Sequence, residues 1–317
     1  MFNFLPAPLI GLLSFTMYTI NTLFWLVPII ICSLLKALIP LSISQKVFSY
    51  LLDHMASAWV AVNTINQKLF TRVKLNIKGL QTLEADQWYL VISNHQSWVD
   101  IVVLQRVLHG KVPFLKFFLK KELIYVPFLG IAWWALDFPF MKRYSQSFIK
   151  KNPHLKGKDI ETTRKACEKF RHKPVSIMNF IEGTRFTSAK HSKQNSPYKH
   201  LLKPKAGGIG FVISAMEDNL NKVLDVTIHY PDGIPTFADF LCGRIKTVNV
   251  VFKIRDIDDG LRGDYVNDRA FKINFQQWLT NTWQEKDKLL RFIKIRLNML
   301  SGQKIMLGFK THIGCAA

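Results

Sequence analysis

No charged side chain occurs between Met1 and Leu35, and the run from Leu9 to Ile39 carries a single charge, Lys36. At about 1.5 Å per residue, a helix of that length would extend roughly 50 Å, against a bilayer hydrocarbon core of about 30 Å. One tilted membrane span, or a span bent at Pro28, is therefore expected. A secretory leader fits poorly: the stretch lacks a basic start, is too long for a leader's apolar region and shows no small-residue cleavage pattern before Lys36. A buried core helix of a soluble protein fits poorly too, because the uncharged run exceeds the usual threshold of about 18 residues.

A second helical stretch, Val47 to Phe70, mixes Phe48, Leu51, Leu52, Trp59, Val60 and Ile65 with Asp53, His54, Asn63, Asn66 and Lys68. That pattern suits an interfacial helix, or the partner of the first in a hairpin. Arg72, Lys74, Lys78 and a largely basic remainder follow, which places the rest of the chain on the cytoplasmic side by the positive-inside tendency. Over all 317 residues, 43 Lys and Arg oppose 22 Asp and Glu, a formal charge of +21, so the partner should be anionic: lipid, phosphorylated substrate or nucleic acid. With 49% hydrophobic residues the chain can bury a sizeable core, and disorder is excluded. Cys32, Cys167, Cys242 and Cys315 form no C-x-x-C pair, so neither a zinc site nor a disulfide framework is indicated. Cys315 is followed by only Ala316 and Ala317, one residue short of a prenylation box.

Beyond residue 70, strand and helix patterns alternate. Residues 73–77, 88–93, 175–181, 223–230 and 246–254 read as strands, and 97–108, 159–172, 206–216 and 264–300 as helices. The expected organisation is an anchor and interfacial helix over 1–70, an α/β domain with a mostly buried mixed sheet flanked by helices over 71–300, and a tail over 301–317. The polar stretch Thr187 to His200 is expected to be a solvated surface loop, with a lid as the alternative.

Two polar clusters each follow an apolar strand. In Asn94-His95-Gln96-Ser97-Trp98-Val99-Asp100, a histidine at a strand end is followed within one helical turn by a carboxylate. Such a pair orients an imidazole through Nδ1 and frees Nε2 to act as a general base toward a hydroxyl. The blander reading is that Ser97-x-x-Asp100 is a helix capping box. The second cluster is Phe180-Ile181-Glu182-Gly183-Thr184-Arg185, in which Gly183 permits a sharp turn and Arg185 offers a planar fork for phosphate. An ordinary turn is its blander reading, weakened because both clusters open onto one edge of a single sheet.

These segments resemble the glycerolipid (lysophospholipid) acyltransferase family. His95 with Asp100 matches its H-x4-D motif and Phe180 to Arg185 its E-G-T-R motif, in the expected order. Phe140-Met141-Lys142-Arg143 stands where the family has a basic residue, and Lys120 to Leu123 followed by Pro127 to Gly130 also fits. Trp134 to Asp137, Gly157 to Arg164 and Gln276 to Leu279 resemble more specifically the bacterial inner-membrane YihG-type enzymes and the lysocardiolipin acyltransferases. The late family motif is matched only loosely, by Val226 to Pro231.

The resemblance implies acyl transfer from acyl-CoA or acyl-carrier protein to the hydroxyl of a lysophospholipid, at a bacterial inner membrane, with neither metal nor other cofactor. It implies that His95 is the base and Asp100 its orienter. Glu182, Gly183, Thr184 and Arg185 would position the glycerol phosphate, Arg143 and Lys205 would add positive charge, and the Gly183 and Thr184 N–H groups would face the oxyanion. Two rivals stand beside it: a transacylase using another phospholipid as donor, and a non-catalytic basic tether. The tether rests on charge alone, since no nucleic-acid-binding motif is present, and a serine hydrolase lacks its G-x-S-x-G elbow.

Overall fold

Ala7–Leu38 form helix α1, entered through Pro6 and continuing past Pro28, and Ser42–Asn66 form α2. A computed structural model describes residues 4–80, 83–127, 129–141, 165, 167, 170, 173–216, 219–265 and 267–313, without the side chains of 141 and 296–313. The two helices pair through polar side chains that would be costly in lipid if left alone. Asn21 donates to the Asn63 side chain at 2.8 Å and to the Trp59 carbonyl at 3.0 Å. Ser14 donates to Asn66 at 3.2 Å, and Asn66 donates back to the Ser14 carbonyl at 3.0 Å. The opposite face of α1, with Leu12, Phe15, Leu23, Phe24, Val27 and Ile31, is exposed. The first helix is thus one leg of a hairpin, long and apolar enough to cross a membrane but packed along one side.

After a π-helical turn at Gln67–Thr71 come β1 (Lys74–Lys78), β2 (Trp88–Ser93), α3 (Val99–Leu108), β3 (Leu115–Phe117), β4 (Leu119–Lys120), α4 (Leu129–Ala135) and β5 (Phe140–Met141). Then follow β6 (Ser176–Phe180), α5 (Ser188–Lys193), α6 (Ala206–Met216), β7 (Leu220–His229), α7 (Phe237–Leu241), β8 (Thr247–Asp256) and α8 (Arg269–Ile313). Among the described residues six strands form one mixed sheet in the order β1-β8-β7-β2-β6-β3, all neighbours parallel except β7 and β8. β4 and β5 make a separate short pair.

The central strand β2 shows why its sequence is apolar throughout: both faces are covered. Tyr89 and Val91 join a core with Ile29, Cys32, Leu52 and Ala56 of the hairpin and Val103 and Leu104 of α3. Leu90 and Ile92 join the opposite core, with Ile209 and Val212 of α6 and Phe275, Leu279 and Trp283 of α8. The hairpin therefore shares a core with the α/β layer instead of standing apart from it. Gly11 allows part of this approach, since a Cβ there would meet the Cys242 sulfur at 2.6 Å.

Most expected elements recur within a few residues of their anticipated ends. The short β3, β4, β5, α4 and α7 were not anticipated, being too brief to carry a periodic signal. The presumed loop 187–200 contains α5, capped by the Thr187 hydroxyl, and is fastened by the Lys199 and His200 N–H groups donating to Asp287. α8 runs on to Ile313 through most of the segment expected to be a tail. Nearly all of the helix expected at 159–172, together with Gly157 to Arg164, lies outside the described residues.

Candidate active site

His95 and Glu182 leave the C-terminal ends of β2 and β6, adjacent parallel strands whose register pairs Ser93 with Phe180. The side chains of parallel neighbours emerge together there, at the sheet edge where open α/β folds place their ligands. Asn94 locks the first loop to β7: its side chain donates to the Ile228 carbonyl and accepts the Ile228 N–H, both at 2.9 Å.

His95 Nδ1 lies 2.9 Å from Asp100 Oδ2, and the imidazole stacks on Phe180 with ring centroids 3.9 Å apart. The same carboxylate oxygen accepts the Gln96 N–H at 2.6 Å and the Ser97 N–H at 2.9 Å. The capping and orienting readings of Asp100 are therefore one arrangement: the carboxylate closes the first turn of α3, where the helix dipole favours it, and holds the imidazole. The reciprocal half of the capping box is displaced by one residue: the Ser97 hydroxyl accepts the Val99 N–H at 3.2 Å and donates to the Pro235 carbonyl at 2.6 Å. Asp100 is wholly buried, and its second oxygen accepts the Tyr230 hydroxyl at 2.6 Å. Burial and the neighbouring Asp100 raise the Tyr230 pKa well above its ordinary value, so the phenol stays a donor. With Nδ1 turned to Asp100, Nε2 has no partner among the described residues, and the side chain keeps 13% exposure.

Glu182 is placed differently from the expectation that it contacts substrate. It is fully buried; one oxygen accepts the His95 N–H and the other the Leu202 N–H, each at 3.0 Å. Burial lifts its carboxyl to about 7, with the two N–H groups and Lys286 pulling the other way. Glu182 thus fixes the main chain of His95. Gly183 adopts a left-handed φ of +70°, as its turn requires, but its N–H, one of the two expected to face an oxyanion, donates to the Phe180 carbonyl at 2.8 Å.

The Arg185 guanidinium lies 4.8 Å from the centre of the half-exposed Trp98 ring, so the two loops meet at the rim. Lys190 donates to the Thr184 hydroxyl at 2.7 Å and the Arg185 carbonyl at 3.0 Å, bringing in a cation that sequence reasoning assigned to a loop. Lys205 sits beside this loop, its N–H donating to Ile181 at 2.8 Å. Arg143 lies outside the described residues. From the far C-terminal side, buried Trp283 of α8 donates to the carbonyl of Leu202 at 3.0 Å, the residue whose N–H holds Glu182. Among the described residues no cluster of His, Cys, Asp and Glu suits a metal.

Residues 74–230 match the family model described as Acyltransferase. Chicken lysocardiolipin acyltransferase 1 is 22% identical over 264 residues, covering 78% of this chain and 65% of that protein. Mouse 1-acyl-sn-glycerol-3-phosphate acyltransferase gamma is 25% identical over 223 residues, covering 65% and 53%. An uncharacterised acyltransferase of Saccharomyces cerevisiae is 26% identical over 233 residues, so the chain spans 57% of that relative's length and about two-thirds or less of the others. The crystal structure of the 1-acyl-sn-glycerophosphate acyltransferase PlsC from Thermotoga maritima shares the fold, with a TM-score of 0.52 at 15% identity over 89% of this chain and 95% of that one.

Proposed function

Residues 74–230 form an acyltransferase family domain, and from that premise we propose that this protein is a membrane-bound O-acyltransferase acting on a lysophospholipid. The observation that carries the reading is the His95–Asp100–Tyr230 chain, which fixes the imidazole by Nδ1 and leaves Nε2 open at the sheet edge. The simplest acceptor is 1-acyl-sn-glycerol 3-phosphate, giving phosphatidic acid, or another lysophospholipid in remodelling. The donor is a thioester, acyl-CoA or acyl-carrier protein.

In this mechanism Nε2 takes the proton of the acceptor hydroxyl as its oxygen attacks the thioester carbonyl. Asp100 holds the ring and stabilises the imidazolium that results. Collapse of the tetrahedral adduct breaks the C–S bond, and the imidazolium returns the proton to the departing thiolate, leaving an ester and a thiol. No acyl-enzyme forms, because the substrate supplies the nucleophile. Arg185 and Lys190, with Arg143 and Lys205, supply positive charge for the acceptor phosphate. The hairpin's exposed apolar face seats the protein in the bilayer with the α/β domain on the cytoplasmic side of a bacterial inner membrane, where both substrates meet.

The test is to assay purified protein and membranes from producing cells against a panel of lysolipids, offering acyl-CoA and acyl-carrier protein in parallel. Thioester-dependent formation of a diacyl product is expected. Product formed only from a diacyl phospholipid donor would make the protein a transacylase, and no product from any pair would leave a tether.

A further inference from the structure

A cavity of about 820 Å³ among the described residues is not at His95. It lies where the turn between α1 and α2 meets edge strand β3 and the entry to β6. Its lining includes Val175, which precedes β6, whereas Glu182 follows that strand; at about 3.3 Å per residue the two are roughly 20 Å apart. The cavity is thus at the opposite end of the strands from the candidate active site.

Four ammonium groups and two carboxylates line it: Lys36, Lys46, Lys116 and Lys173 against Asp53 and Asp137. Lys36 pairs with Asp137 at 2.7 Å, while Asp53 is shared between Lys173 at 2.7 Å and Lys116 at 3.4 Å. Lys46 is exposed and has no carboxylate partner among the described residues. Those pairs fasten the hairpin to the α/β layer, yet among the described lining residues they leave a surplus of two positive charges around a space of ligand size. Beside it, on the same turn of the hairpin, Leu34, Leu38, Leu41, Ile43 and Val47 are bare apolar side chains. A cationic recess bordered by exposed aliphatic surface matches an amphiphile with an anionic head, and neither a soluble anion nor a neutral lipid uses both parts.

We propose that this cavity is an accessory site holding the headgroup of an anionic membrane phospholipid, whose acyl chains lie along the exposed end of the hairpin. The proposal rests on the reading that the hairpin faces the bilayer. Such a site fixes the depth and tilt of the hairpin from the strand ends remote from His95, and makes membrane seating depend on lipid charge at one defined position, beyond the diffuse +21 field.

The experiment is native mass spectrometry of the full chain in a nonionic detergent, titrated with phosphatidylglycerol, with phosphatidylcholine and soluble glycerol 3-phosphate as separate arms. One tightly held phosphatidylglycerol is expected. Lys46→Glu should weaken its retention roughly tenfold or more, since each basic side chain near such a lipid contributes about 1 kcal/mol. Lys288→Glu, an exposed site on α8, should change it no more than about twofold, because a remote charge is screened. Arg185→Ala should leave retention intact, which separates this lipid from one bound at the candidate active site. Equal effects of Lys46→Glu and Lys288→Glu, equal retention of phosphatidylcholine, or displacement by glycerol 3-phosphate at equal concentration would each overturn the proposal. Lysolipid acylation measured on the same Lys46→Glu sample reports separately on the enzymatic reading: activity in detergent should persist when the bound lipid is lost.

Discussion

Glu182 and His95 meet through the main chain: a Glu182 carboxylate oxygen accepts the His95 N–H at 3.0 Å while its other oxygen accepts that of Leu202 at 3.0 Å. The buried acid of the second motif therefore sets where the imidazole of the first motif stands.

Replacing Glu182 by Gln should cost activity and also change how stability responds to pH. A glutamine turns an N–H toward one of the two backbone donors, and an unsatisfied buried donor costs about 1–3 kcal/mol. The folded carboxyl is raised from 4.5 to about 7 by burial, so its stabilising contribution is fully present below 4.5 and is lost as pH rises through about 7. Relative to Glu182→Gln, the wild type should lose up to ~3 kcal/mol across that window. Thermal melts of both proteins between pH 4.5 and 8 measure this, and a constant difference would contradict the assignment.

His95→Ala should abolish acyl transfer in a protein that remains folded and membrane-bound, and Asp100→Asn should lose most activity by misorienting the ring. Tyr230→Phe should lower kcat about tenfold with KM little changed, because a hydrogen bond to a buried carboxylate is worth about 1.5–3 kcal/mol and no substrate contact is removed. Steady-state kinetics on the three variants decide it. Wild-type turnover in His95→Ala would end the mechanism.

Arg185→Ala should raise KM for a phosphorylated lysolipid strongly, and Arg185→Lys should recover only part, because a point charge reproduces neither the fork nor the stacking on Trp98. Binding to anionic vesicles should hardly move, since one charge among 43 basic residues contributes little. Kinetics and vesicle binding on the same samples separate the two; parallel losses would favour a tether.

Trp283→Phe keeps the buried ring of α8 but deletes its N–H bond to Leu202. A looser Leu202 peptide holds Glu182 less firmly, so kcat should fall several-fold and the acidic limb of the pH–rate profile should move to higher pH. A lowered melting temperature with an unchanged profile would reduce Trp283 to a packing role.

The exposed apolar face of α1 predicts that the protein stays with membranes through high-salt and alkaline washes and is released by detergent. Attachment by charge alone would be weakened by salt, as surface attraction is screened within about 8 Å at physiological ionic strength. Fractionation and blotting of the washes measure this, and release by salt would mean that the hairpin is not embedded.

Local sequence determined the elements whose signals are continuous along the chain. The uncharged start required a long apolar helix, the run Trp88 to Ser93 a doubly covered strand, and His95 with Asp100 a strand-end pair within one helical turn. Tertiary structure alone decided which residues complete the site. Tyr230 is 130 positions from Asp100 and Trp283 is 81 from Leu202, and no spacing rule joins them, because they meet only when the strand order brings β7 beside β2 and α8 against the opposite face. The same holds for Glu182, legible as a polar residue after a strand but not as a buried carboxylate. Its partners are backbone N–H groups, which every residue except proline carries and which the sequence therefore cannot mark. Asn21 and Asn63, 42 positions apart, likewise carry no pairing signal until the hairpin brings them together.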